Sequence, residues 1–323
     1  MIDLDLQPAF DHPFDGIDPS AVAAVGPVSR GKVRDIVDLG DRLVLIATDR
    51  LSAFDRVIGT VPYRGQILNQ LAAWWFDEVA DLAPSHVVSV PDPNMTVGLR
   101  CEPLPVEVVV RGHLSGSTST ALWTRYAEGE RKIYGLRFPD GMAKNDPLPA
   151  PVITPTTKAR DGGHDKPVSE IEIIEQALVD AELWDQVREV ALAMFARGSA
   201  VAGEAGLVLV DTKYEFGLDA EDGLRVIDEI HTPDSSRFWR AETLDSRRRA
   251  GQEPDNLDKE VVRLEYAARG YRGEGDPPPL DADLAARTTT VYAEAFARLT
   301  GSDFVPDRYP VGPRVEGVIR GLA

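Results

Sequence analysis

The sequence predicts an α+β fold, in which a β-rich N-terminal lobe precedes a lobe of mixed helices and strands. Three observations predict it. Residues 28–62 are short apolar runs separated by turn residues, as in consecutive hairpins. After residue 66 the apolar spacing switches back and forth between the helical and the strand period. The length, 323 residues, is long for one domain and comfortable for two, and the division is placed between residues 108 and 109.

Taken in order, "KVRDIVDLG" and "DRLVLIATD" form a first hairpin around Gly40-Asp41. A helix covers 66–82, with Ile67, Leu71, Trp74, Trp75 and Val79 at helical spacing and Pro84 beyond its end. "HVVSV" (86–90) and "VEVVVRG" (106–112) read as strands. Residues 139–167, rich in Pro and Gly, read as a long loop, a length that points to function or disorder. Ser169 and Glu172 make a capping box for a helix carrying Ile171, Ile174 and Leu178. A second helix runs over about 182–203. "GLVLVDTKYEFG" and "LRVIDEIHTPDSSRFW" then flank the acidic turn "LDAEDG" as a hairpin. Helices at about 257–269 and 281–299 follow, the latter capped by Asp281.

Hydrophobic residues make up 43% and charged residues 27%, the composition of an ordinary globular protein. Net charge is −18, from 53 acids and 35 bases, so the bulk surface repels nucleic acid and anionic lipid and neither is an expected partner. Local clusters of positive charge are the more informative for that, because they suggest a small anionic ligand. The one cysteine, Cys101, fits a reducing compartment. The N-terminus does not read as a secretory signal, and no apolar run is long enough to span a bilayer, so the cytoplasm is the expected location.

In "DTKYEFG" the charged residues Asp211, Lys213 and Glu215 alternate with apolar ones, which puts all three on one face of a strand. A solvated outer face has the same pattern. Across the turn, "DEIHTPDSSR" adds Asp228, Glu229, Asp234 and Arg237. Two facing strands that interleave carboxylates with cations suit Mg²⁺, whose shell substrate phosphates complete. With the turn centred on Glu221, Lys213 lies opposite Glu229 and Asp211 opposite His231. Adjacent strand residues point oppositely, so Glu229 would face the metal and Asp228 would not, unless a bulge reverses the choice.

Three further stretches have chemical content. "SRGKVRD" sets Lys32 and Arg34 beside Gly31, where backbone N–H groups and two cations could meet phosphates, although a solvated turn reads the same. "VVVRGHLSGSTS" combines Arg111 with Ser115, Gly116 and Ser117, a set that serves either a phosphate or a plain turn. "PVITPTTKARDGGHDKPVS" concentrates Thr154, Thr156, Lys158, His164, Asp165 and Lys166, and its glycines suit a segment that closes over substrate.

In this order, "GKVRD", "ATDRLSAFD", "VVRGHLSGS", "ITPTTKA…GGHD", "DTKYEFG" and "DEIHTPDSSRFW" resemble the phosphoribosylaminoimidazole-succinocarboxamide synthase (SAICAR synthetase) family over about Gly31 to Arg263. The resemblance implies ATP in a cleft between a nucleotide-binding lobe (1–108) and a substrate- and metal-binding lobe (109–323). It implies ligation of carboxyaminoimidazole ribonucleotide with L-aspartate, assisted by Mg²⁺. By motif match, Gly31, Lys32 and Arg34 would meet ATP. Arg111, Ser117, Arg237 and Arg263 would hold the ribonucleotide, Asp211 and Lys213 would serve the reaction, and Glu215 with Asp228 or Glu229 would hold the metal. The strand before Arg111 would receive the adenine. Arg64 stands where the family usually has Lys, and its role is left open, as are those of His164 and Asp165 and the oligomeric state. A small-molecule kinase of similar two-lobed form is the alternative; the His-Arg-Asp and Asp-Phe-Gly signatures of protein kinases are absent.

Overall fold

The structure, a computed structural model, describes residues 4–117, 121–158 and 166–322. The first hairpin forms as expected, Arg34–Asp38 against Arg42–Ala47, turning through Gly40 at φ +94°. It becomes a five-stranded antiparallel sheet by adding Val28–Arg30 on one edge and Met95–Leu99 then Val87–Asp92 on the other. A separate small hairpin, Arg50–Ala53 with Arg56–Thr60, precedes the helix Arg64–Glu78, whose Ile67, Leu71 and Trp75 are fully buried.

The second sheet is organised around one strand, Leu207–Leu218. On one side it pairs with Val106–His113 and Glu102–Pro103, and on the other with Leu224–Ile227 and Ser236–Arg240. Its Tyr214 and Phe216 are fully buried, in one core with Val108, Val110 and the helix Ala181–Glu204. Burying each such ring is worth roughly 1.5–3 kcal/mol. A register shift follows Leu209, which with Leu207 is still in that core, and from Asp211 onward the odd-numbered residues Asp211, Lys213 and Glu215 take the opposite face.

Some expectations are corrected. Part of the supposed loop 139–167 is a strand, Pro147–Ile153, on the edge of Val106–His113. Prolines disguise it, and an edge strand can hold them because its outer N–H groups need no partner. The capping box forms, but its helix, Glu170–Glu175, is short. It therefore buries Ile173, while Ile171 is 67% exposed and Ile174 37%. His164 and Asp165 lie outside the described residues.

The junction expected between 108 and 109 lies inside the strand Val106–His113. At the other end of the chain, the helix Val311–Arg320 packs Val311, Val315 and Ile319 against Phe14, Val37, Val44 and Val97 of the first sheet's core. Among the described residues no helix is long and apolar enough to cross a membrane.

Candidate active site

Strand register builds the centre of the site. Asp211 pairs across the sheet with Arg111 on one neighbour and with Arg237 on the other. Three side chains from three adjacent strands thus stand side by side on the face turned away from the core. Asp211 Oδ2 accepts from Arg111 Nη1 at 2.8 Å and from Arg237 Nη1 at 2.5 Å, and Arg111 Nε donates to Thr154 Oγ1 at 2.8 Å. One carboxylate between two guanidiniums leaves donors in excess, which is how a site receives a further anion.

Two residues further along the central strand, Lys213 Nζ donates to Glu107 Oε1 at 2.9 Å and to Glu215. Lys158 Nζ donates to the other Glu215 oxygen at 2.6 Å. Burial opposes charge on Glu215, but Lys213 and Lys158 outweigh it and draw the carboxyl down to about 2. Burial likewise opposes the Lys213 ammonium, and Glu215 with Glu107 outweighs it and raises the pKa. Lys213 is therefore a fixed positive charge, unsuited to proton transfer at neutral pH.

The hairpin register is the one expected from the sequence, Glu215 opposite Ile227 and Phe216 opposite Val226, but the strand stops at Ile227. Asp228 takes a left-handed φ of +70° and His231 one of +52°. Asp211 consequently faces Arg237 instead of the expected His231. The left-handed step also breaks the alternation that would have sent Asp228 and Glu229 to opposite faces. Both line the cleft, and the Arg34 guanidinium bridges them, one nitrogen to Asp228 and the other 2.9 Å from Glu229 Oε2. The expected choice of Glu229 over Asp228 does not arise.

This loop is held from below. The His231 ring is fully buried, meets the Trp75 ring edge-on at 4.5 Å, and shares a hydrogen bond between Nε2 and the Tyr214 hydroxyl. Burial lowers its pKa to about 3, so it stays neutral. Asp234 accepts from Arg64 Nη2 at 2.5 Å, Lys259 Nζ at 3.0 Å and the Tyr292 hydroxyl. Arg64 Nη1 also donates to Thr48 O at 2.9 Å. The guanidinium left without a role by sequence therefore spans from the chain beside the first sheet to the carboxylate loop, a reach in two directions that a lysine lacks.

The resulting cleft has a volume of about 460 Å³, and Lys32, Val33, Glu107, Arg111, Asp211, Lys213, Asp228, Glu229, Arg237, Lys259 and Arg263 are on its walls. Of the expected residues, Lys32 pairs with Asp55 at 2.8 Å, and Gly31 lies next to Lys32 in the turn. Arg34 reaches the cleft through the two carboxylates it bridges. Ser117 Oγ donates to Glu260 Oε1 at 2.8 Å, and Arg263 Nη1 donates to Glu260 Oε2 at 3.1 Å. Glu215 is tied to its two lysines, and among the described residues no three His, Cys, Asp or Glu side chains converge as a metal-holding group. Two carboxylates with phosphate oxygens completing the shell still fit Mg²⁺, which asks little more of a protein.

The family model of SAICAR synthetase matches residues 27–278. The chain belongs to the SAICAR synthetase family. Phosphoribosylaminoimidazole-succinocarboxamide synthase of Legionella pneumophila is 46% identical over 302 residues, 92% of this chain and 95% of the relative. The chloroplastic synthase of Arabidopsis thaliana is 44% identical over 289 residues, 88% of this chain and 70% of the relative. SAICAR-synthase from Saccharomyces cerevisiae, complexed with SAICAR, superposes with a TM-score of 0.75 at 28% identity, covering 90% of this chain and 99% of the yeast chain. Against this SAICAR synthetase background, sequence reasoning missed Glu107, Lys259 and Glu260. Glu107 was within reach of it: in "VEVVVRG" residues 107, 109 and 111 share a face, so Glu107 belongs with Arg111.

Proposed function

We propose that this chain joins carboxyaminoimidazole ribonucleotide to L-aspartate using ATP, releasing ADP, phosphate and the succinocarboxamide ribonucleotide of purine biosynthesis. The observation that carries this reading is the cross-strand triplet Arg111–Asp211–Arg237 beside Lys213, Lys158, Glu107 and Glu215, four cations against three carboxylates in a chain of net charge −18. A carboxylate cannot expel oxide, so the γ-phosphoryl group passes to a carboxylate oxygen of the imidazole. The aspartate amine then attacks the acyl carbon, the C–O bond to phosphate breaks, and the nitrogen loses its proton.

The residues do this by positioning and charge stabilisation. Arg111, Arg237, Arg263 and Ser117 hold the ribonucleotide, and Lys213 holds negative charge that develops on the carboxylate being activated. Gly31, Lys32 and Arg34 address the ATP phosphates. Asp228 and Glu229 would hold Mg²⁺, which when bound neutralises phosphate charge. We place the reaction in the cytoplasm, where a free Cys101 is at home.

The test measures ADP release with each substrate omitted in turn. ADP should appear only when Mg²⁺, the ribonucleotide and L-aspartate are present together. Equal rates with glycerol, inositol or a peptide hydroxyl as acceptor would favour a kinase instead.

A further inference from the structure

The turn between the first two strands is closed by a hydrogen bond from Gly31 N to Arg34 O at 2.8 Å. Beneath it sits Arg50, only 5% exposed although charged. Its Nη2 donates to Gly31 O at 3.0 Å and its Nε to Lys32 O at 3.0 Å. Nη1 donates to Asp15 O, and Nη2 also meets Asp35 Oδ1 at 2.9 Å, so the buried charge is balanced. Nearly the whole donor fork is spent on backbone carbonyls of one short turn and on what anchors it.

The geometry of the peptide bond gives this arrangement a direction. In a trans peptide the C=O of one residue and the N–H of the next point opposite ways. Fixing the carbonyls of Gly31 and Lys32 on Arg50 therefore turns the N–H groups of Lys32 and Val33 away from it. Both residues line the cleft, near Asp228 and Glu229, and neither N–H has a hydrogen-bond partner among the described residues. Successive free N–H groups turned the same way make an anion-binding concavity.

We propose that Arg50 is a positioning residue for ATP: it presents the Lys32 and Val33 amides to the nucleotide phosphates without touching them. This rests on the reading of the 31–34 turn as the ATP-phosphate site. Lys32 and Arg34 side chains then supply charge, while the buried arginine supplies shape. A lysine at 50 keeps the charge opposite Asp35 but reaches only one carbonyl, so it leaves the turn half held.

The test uses the full chain with Arg50→Met, Arg50→Lys and Arg34→Ala, and measures KM for each of the three substrates together with hydrogen exchange of the 31–34 amides. Arg50→Met should raise the KM for ATP roughly tenfold or more and speed exchange in the turn, with the KM values for ribonucleotide and L-aspartate within about twofold of the parent. Arg50→Lys should fall between. If Arg50→Met does not fold, Arg50→Lys decides on the same readouts. An unchanged KM for ATP in folded Arg50 variants, with Arg34→Ala raised, overturns the role of Arg50 alone. If Arg34→Ala is also unchanged, the turn is not the phosphate site and that reading falls with it. A uniform rise in all three KM values means that Arg50 only supports the fold, and overturns the proposal.

Discussion

Lys213 shows how a strand can hold a charge in place. Its ammonium is pinned between Glu107 and Glu215, so under the proposed function it would stabilise charge without reorganising. Lys213→Met should cut turnover on the order of 10²–10³ while circular dichroism stays that of the parent. Retention of near-full activity would reduce Lys213 to balancing its two neighbours. Glu215 gives a pH prediction. Its carboxyl ordinarily titrates near 4.5 and sits near 2 in the fold. The depressed value means that its stabilising contribution is complete above about pH 4.5 and is lost as pH falls through 2. In Glu215→Gln, unfolding free energy should therefore change less steeply over that acid window than in the parent; an equal slope would remove Glu215 from the account. This part of the site was legible beforehand, because a period of two needs no tertiary information to put residues 211, 213 and 215 on one face.

At the scale of elements, the carboxylate loop depends on a helix on the far side of the sheet. A Cβ at Gly198, in the helix Ala181–Glu204, would lie 2.4 Å from His231 Cε1. Intrinsic helix propensity favours alanine over glycine by about 1 kcal/mol. Here the collision outweighs it, since His231 is enclosed by Trp75 and Tyr214 and cannot retreat. Gly198→Ala should lower Tm and raise the Mg²⁺ concentration needed for half-maximal rate, because displacing His231 moves Asp228 and Glu229. A rise in Tm would show that the ring has room. Asp228→Gly makes the complementary case: it fits the left-handed backbone, so Tm should hold while the Mg²⁺ requirement climbs. A Tm loss as large as that of Asp228→Ala would mean that the backbone is not the constraint. None of this was readable in "VIDEIH". Asp and His take left-handed backbone more often than most residues, as Asp228 and His231 do here, but that preference is too weak to mark them against regular alternation without a Gly. The Pro147–Ile153 strand escaped notice for the converse reason, since its prolines announce a loop.

Across the whole molecule, the core of the first sheet is closed by residues from the far end of the chain. The helix Val311–Arg320 was not among the elements expected from the sequence, and its apolar face could not by itself name the partner, which lies about 270 residues upstream in the first sheet. Ile319 is fully buried there, and Ile319→Ala should cost about 2–5 kcal/mol in urea unfolding, although Ile319 is not on the cleft walls. A loss under 0.5 kcal/mol would mean the helix only rests on the sheet.

The same closure has a consequence for synthesis on the ribosome. The first sheet is fully translated by residue 99, yet the helix that seals its core comes roughly 200 residues later. At about 5–20 residues per second, that leaves an open apolar surface for on the order of ten to forty seconds on every nascent chain. The first sheet is made well before it is finished, so chaperone capture and cleavage by proteases should concentrate there until the helix Val311–Arg320 has emerged.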